Sequence, residues 1–256
     1  MLKQTLRDYM NNPAGKGSTV IPNRQLVIDD FRRRYEKIKE HHKFDVTIYK
    51  VRNDYLFHVL VPSEDKDKDI KYDVVLQFTM ADEDFSNDIN IHRYYVKFFS
   101  NSPSFVYTYA YTYNKNGILI NELVNKYTDE VIDNPPGTRN PQQIISFEKT
   151  IYFACLHLMS SPSYTNKLYL NSHARSLNFN LLVKNVRTAD GILMEYKKAQ
   201  RKKAEKEKKE SKPISKPISR GTTTSTKTNV KKKTVTPKKK PIKKIAAKKS
   251  TIKGKK

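Results

Sequence analysis

Lysine is the residue type whose spacing in this chain could do the most chemistry. Residues 231–256 read KKKTVTPKKKPIKKIAAKKSTIKGKK. The cations fall in clusters: Lys231, Lys232 and Lys233; Lys238, Lys239 and Lys240; Lys243 and Lys244; Lys248 and Lys249; then Lys253, Lys255 and Lys256. An ammonium group on a flexible chain neutralises a phosphate without fixed geometry, and release of counterions from the polyanion drives the binding. These lysines are the candidate nucleic-acid contacts. No side chain among them is positioned to read a base edge, so binding is expected to ignore sequence and to leave DNA and RNA undistinguished. A solubilising segment, an acidic protein partner or an anionic membrane surface are the other readings of such a run.

The remaining chemical motifs are incomplete. AGKGST, residues 14–19, invites a phosphate-loop reading, but the full pattern needs a glycine where Met10 stands, and no strand pattern precedes it. Asp82, Glu83, Asp84 and Asp88 suggest calcium, yet Asn87 takes the place of the turn glycine and Arg93 that of the bidentate glutamate. The six histidines (41, 42, 58, 92, 157 and 173) lack zinc-ligand spacing, and a single cysteine, Cys155, cannot complete a thiolate site. Cys155 sits in the apolar run TIYFACLHLM and reads as a buried thiol. No nucleophile elbow, paired-carboxylate signature or glycine-rich cofactor turn is present. The expectation is a non-enzyme with no cofactor, no metal and no small-molecule substrate.

Aromatic residues supply a second candidate surface. SFVYTYAYTYNKNG places Phe105, Tyr107, Tyr109, Tyr111 and Tyr113 on alternate positions, which in a strand would put all five on one face. Exposed, such a row could stack bases at about 1–3 kcal/mol each. No Lys or Arg lies between Phe105 and Tyr113, so the row reads as core or as an assembly face, with Tyr107, Tyr109, Tyr111 and Tyr113 its candidate residues.

Charge is distributed so that these two features belong to different parts of the chain. Residues 197–256 hold 25 Lys+Arg and 3 acids, a net of +22, while residues 1–196 hold 25 and 23, a net of +2. All 16 Tyr and 11 Phe lie at or before Tyr196. A near-neutral body therefore carries a polycationic appendage whose composition cannot bury enough apolar surface to order itself. Within the body, MLKQTLRDYM reads as a short docked arm, and residues 11–24 as a loop. QLVIDDFRRRYEKIKEHH carries Val27, Phe31, Tyr35 and Ile38 on one helical face. From Phe44 to Tyr113 the period changes to two: five β-prone segments joined by polar connections, the last of them the tyrosine row, predict an antiparallel meander. Asn140 as N-cap and Pro141 in the first turn predict a helix to about Met159 that packs across the sheet. Residues 163–187 read as strand or helix, and Asp190 is a candidate cap for a final helix with a charged end. The fold class expected is α+β, divided into an arm and loop (1–24), a globular domain (25–196), a charged helical extension (197–210) and a disordered basic tail (211–256).

Three stretches, LRDYMNNPAGKGSTVIPNRQL, VKFFSNSPSFVYTYAYTYNKNGILINEL and NPPGTRNPQQIISFEKTIYFA, resemble uncharacterised structural or assembly proteins of tailed bacteriophages over about residues 1–160. The tail resembles linker-histone tails in composition. The first resemblance implies a non-catalytic virion or assembly protein, with other virion proteins or a second copy of itself as partner and nucleic acid bound through the tail. A free nucleic-acid-compacting protein and an enzyme with a nucleic-acid tether are the alternatives. No N-terminal stretch resembles a signal peptide and no apolar run approaches membrane-spanning length; the expected setting is the virion or the host cytoplasm, without membrane association.

Overall fold

A computed structural model describes residues 5–11, 24–52, 54–65, 69–80, 91–137, 140, 143, 145 and 148–210. The fold is α+β, a five-stranded sheet packed with helices. Helix α1 (Leu6–Asn11) opens the described chain and α2 (Arg24–His41) follows. Four strands come next in an antiparallel meander: β1 (Asp45–Val51), β2 (Asp54–Pro62), β3 (Lys71–Thr79) and β4 (Tyr95–Ser100). Helices α3 (Pro103–Thr108), α4 (Ala110–Lys115), α5 (Asp129–Asp133), α6 (Lys149–Met159) and α7 (Lys167–His173) then lead to β5 (Arg175–Ser176). The described chain ends with α8 (Phe179–Asn185) and α9 (Ala189–Glu210).

Alternation builds the sheet. Val74, Leu76 and Phe78 of β3, with Phe57, Val59 and Val61 of β2 and Val96 and Phe98 of β4, are all buried on one face. Helix α6 lies across β2, β3 and β4, as the sequence predicts, and buries Ile151, Tyr152, Phe153, Cys155 and Leu158. Each such side chain removed from water contributes about 1.5–3 kcal/mol. On the outer side of α6 runs α2, whose stripe is Ile28, Phe31, Tyr35 and Ile38. Phe31 meets Tyr152 at 5.3 Å and Phe153 at 6.2 Å between ring centres. The β1–β2 connection takes two residues, with Arg52 at φ 52° in the left-handed region a tight hairpin requires.

The fifth strand is not the tyrosine row. Ser102 caps a helix, its Oγ accepting from the Phe105 amide at 3.1 Å, and Pro103 occupies the first turn, where a missing N–H costs nothing. Residues 103–115 therefore form α3 and α4, which meet at Tyr109. Gly117, at φ 70°, ends α4: its amide donates to the Asn114 carbonyl at 2.9 Å, and that of Ile118 to the Tyr113 carbonyl at 3.0 Å. The strand that completes the sheet is β5, two residues long and parallel to Tyr49 and Lys50 of β1. The order is β4-β3-β2-β1-β5.

The starts of α6 and α9 differ from expectation, and a segment that reads as strand or helix takes the second form. Helix α6 begins at Lys149 with Glu148 as its cap, whereas Asn140 has φ 65° and starts no helix among the described residues. LNFNLLV is helical: Asn178 caps α8, accepting from the Leu181 amide at 3.1 Å. In α9, Asp190 lies inside the helix and the Thr188 hydroxyl accepts from the Gly191 amide at 3.1 Å.

Strands β4 and β1 each have backbone partners on the side away from the meander. Beside β4, Thr5 bridges to Tyr95, the Phe98 amide donates to the Ile118 carbonyl at 2.8 Å, and the Ile120 amide to the Phe98 carbonyl at 3.0 Å. Beside β1 stands β5, and Leu177 adds a bond from its amide to the Lys50 carbonyl. The N-terminal helix is tied into the core: the Tyr9 ring packs tilted against Phe98 at 4.3 Å, and its hydroxyl shares a hydrogen bond of 2.9 Å with that of Tyr113.

Candidate interaction surfaces and buried polar sites

The clusters Lys231 to Lys256, the AGKGST loop at residues 14–19 and the acidic residues 82–88 lie outside the described residues. What the structure supplies is the element leading to the tail. Helix α9 docks by Ile192, Leu193, Tyr196 and Ala199, and every described side chain from Gln200 to Glu205 is exposed. Tyr196 is anchored by hydrogen bonds from its hydroxyl to those of Tyr72 and Ser63.

The tyrosine row is divided by its helical period. Phe105, Tyr109 and Tyr113 recur every four residues and turn inward: Phe105 and Tyr113 are fully buried, their rings edge-to-face at 5.0 Å, and Tyr109 packs half-buried on the core. Tyr107 and Tyr111 take the other side. Tyr107 is 46% exposed, and both line a groove of about 360 Å³ with Val131, Pro135 and Pro136. A single five-residue stacking face is thereby excluded.

Two buried carboxylates, neither singled out by the sequence, organise polar networks. Asp73, on the sheet face away from α6, accepts from His58 Nε2 or shares its proton at 2.7 Å through Oδ1. Its Oδ2 accepts from Asn101 Nδ2 at 2.7 Å and from Arg187 Nε at 2.9 Å. Arg187 also donates to the Lys71 carbonyl and pairs with Glu195 at 3.1 Å. Burial alone would raise the Asp73 carboxyl, but His58 and Arg187 outweigh it and hold the group below the ordinary carboxylate value. A pocket of about 340 Å³ opens beside this cluster, lined by His58, Leu60, Lys71 and Asn185 among others. An Asp–His pair is half of a general-base arrangement, but the Asp73 oxygens are occupied by three donors that join β2, β3, the turn before α3 and the α8–α9 junction. Its chemistry is that of a clasp.

Glu148 is the second. It is 1% exposed, and its Oε2 accepts from the amides of Thr150 and Ile151 at 2.7 and 3.1 Å and from the Thr150 hydroxyl; its Oε1 accepts from Ser102 Oγ at 3.0 Å. One carboxylate thus caps α6 and ties it to the cap of α3. It also borders a cleft of about 400 Å³ with Tyr72, Lys149 and Tyr196. Burial holds the Glu148 carboxyl above its ordinary value despite these donors. Folding consequently favours the protonated form: the contribution to stability is fully present below the unfolded value of about 4.3 and is lost as pH rises through the raised folded one. Glu148→Gln removes this dependence, so urea unfolding is expected to show the Gln-minus-Glu difference in stability increasing between about pH 4 and pH 7. A constant or falling difference would mean that the donors outweigh burial.

Cys155 is buried in α6, and burial pushes its thiol well above the ordinary value, which keeps the nucleophilic thiolate scarce. His157 lies in the same helix, half-buried, stacked on Phe44 at 4.7 Å. No group of three or more His, Cys, Asp or Glu is placed to hold a metal ion among the described residues, and none of their helices is long and apolar enough to cross a membrane. No protein-family model, curated protein or solved structure matches the chain.

Proposed function

We propose that this chain is a non-catalytic structural or assembly protein, of the kind tailed phages encode, whose folded body docks on other proteins and whose Lys-rich segment binds nucleic-acid phosphates irrespective of sequence. The observation that carries the reading is the segregation of charge: +22 of the net +24 lies in residues 197–256, and residues 211–256 contain 17 Lys+Arg and no acid. A polycation without aromatic side chains has phosphate neutralisation as its main recognition chemistry. The body supplies an exposed aromatic groove at Tyr107 and Tyr111 and polar networks in which the buried carboxylates are occupied by structural donors.

Duplex binding by the full chain and by a chain ending at Glu210 tests the nucleic-acid part across a salt series. The full chain is expected to bind duplexes of unrelated sequence alike and to lose about 10³–10⁵ in affinity between 50 and 200 mM salt if six to ten phosphates are contacted. Truncation is expected to weaken binding at least about a hundredfold. Equal affinity of the two chains would overturn the tail assignment. Co-purification with particles at fixed copy number tests the assembly role, and absence from particles would remove it.

A further inference from the structure

Helix α9 carries more than a connection to the tail. Lys197, Lys198, Arg201 and Lys202 stand at i, i+1, i+4 and i+5, which at 3.6 residues per turn places them within an arc of about 140°. The docked residues Ile192, Leu193, Tyr196 and Ala199 occupy the opposite arc; Lys198, Arg201 and Lys202 lie on the side away from them, and Lys197, at the boundary, also lines the cleft beside Tyr72 and Lys149. All four are exposed, and none forms an ion pair with a described residue. The acid nearest to them in the preceding turn, Glu195, is engaged by Arg187 at 3.1 Å. Glu205 is the one acid within the following turn. A solvated helix face usually alternates its signs, as α2 does with Asp30 paired to Arg33 and Arg34; on this face four cations stand together before Glu205, which follows at i+4 from Arg201.

We infer that these four residues form a folded phosphate-binding face that seats on the backbone of duplex nucleic acid, ahead of the Lys-rich segment. The inference rests on the function proposed above and extends it from a segment of composition to a site with geometry. The sequence continues after α9 with 46 residues holding 17 cations and no acid, so a polyanion engaged by the tail is tethered to the chain that carries α9. Arg201 adds a planar fork able to take two oxygens of one phosphate, which a lysine cannot. The helix backbone fixes the separation of the four charges, whereas lysines in the tail need no fixed spacing to neutralise phosphates.

Lysine acetylation footprinting of the full chain tests it, with a 30-base-pair duplex at saturation. Lys197, Lys198 and Lys202 are expected to be protected at least fivefold, while Lys126 and Lys184 of the body keep their free rates. Protection of the tail lysines with none at Lys197, Lys198 and Lys202 would overturn this inference and leave the proposed function standing; protection nowhere would overturn both. A second variant reads the energetics: K197Q/K198Q/R201Q/K202Q in the full chain is expected to reduce the log–log salt slope by about 3 to 4, at roughly 0.9 per phosphate released. An unchanged slope overturns the site. Protection by polyglutamate but not by duplex would also overturn it, and would assign the face to an acidic protein.

Discussion

Replacing Asp73 with alanine is expected to lower the free energy of unfolding by about 3–5 kcal/mol, the cost of breaking a buried ionic network from one side. Asp73 is 1% exposed and receives His58, Asn101 and Arg187. Removing the carboxylate leaves the part-buried Arg187 guanidinium with the exposed Glu195 as its other anionic partner and takes the Asp73 acceptor from His58 and Asn101. Asn101 also accepts from the Asp73 amide at 2.9 Å, so the turn before α3 loses half of a reciprocal pair. The junction between α8 and α9 is held by the same arginine, and its loosening should appear as faster amide exchange at the start of α9. The native carboxyl titrates below its unfolded value of about 3.9, so its stabilisation is present above that pH and is lost as pH falls through the depressed folded value. The deficit of the alanine variant should accordingly shrink in acid below about pH 4. Urea midpoints at neutral pH, with unchanged m-values, measure the effect. A loss under about 1 kcal/mol would mean that the network contributes no more than an exposed pair.

Phe105→Ala and Tyr113→Ala are each expected to cost about 3–5 kcal/mol, while Tyr107→Ala costs about 1 or less. The contrast follows from helical phase. Phe105 and Tyr113 are fully buried and touch each other, with Phe98 and Tyr127 also in ring contact, whereas nearly half of Tyr107 faces solvent. A strand would present all three to the same environment, and their substitutions would then weigh alike. Equal costs would return residues 104–113 to the sheet. Tyr113→Phe isolates one further contribution, since it removes the 2.9 Å hydrogen bond between the Tyr9 and Tyr113 hydroxyls; its expected cost is about 0.5–1.5 kcal/mol.

The parts of the fold written in local pattern were legible. Strands β1 to β4 alternate over six to nine residues, and the stripes of α2 and α6 repeat at helical spacing. The tyrosine row misled because alternate aromatics, with Thr and Val between them, match a strand's period and propensity, while positions 105, 109 and 113 match a helix equally well. Ser102 and Pro103 decide between the two, since a serine before proline is a helix start as well as a turn. Two-residue β5 has no periodicity to detect. Glu148 escaped notice because glutamate is an uncommon cap; its bonds to Ser102 and Thr150 exist only once α3 and α6 are adjacent. The Asp73 cluster draws on positions 58, 73, 101 and 187, whose convergence no spacing rule gives. Its one local trace is a histidine and an aspartate inside otherwise apolar strands.

The backbone partners already seated beside β4 and β1 restrict how copies of this protein can join. Strand addition needs a run of unpaired backbone donors and acceptors. On β4 that row is occupied at Tyr95 and Phe98 by Thr5 and by the segment around Leu119. On β1 it is occupied at Tyr49 and Lys50, and among the described residues Asp45 to Ile48 lack a strand neighbour on that side. Four residues are fewer than a typical strand. Joining copies through a continuous sheet is thereby disfavoured at these two strands, which favours side-chain contacts there.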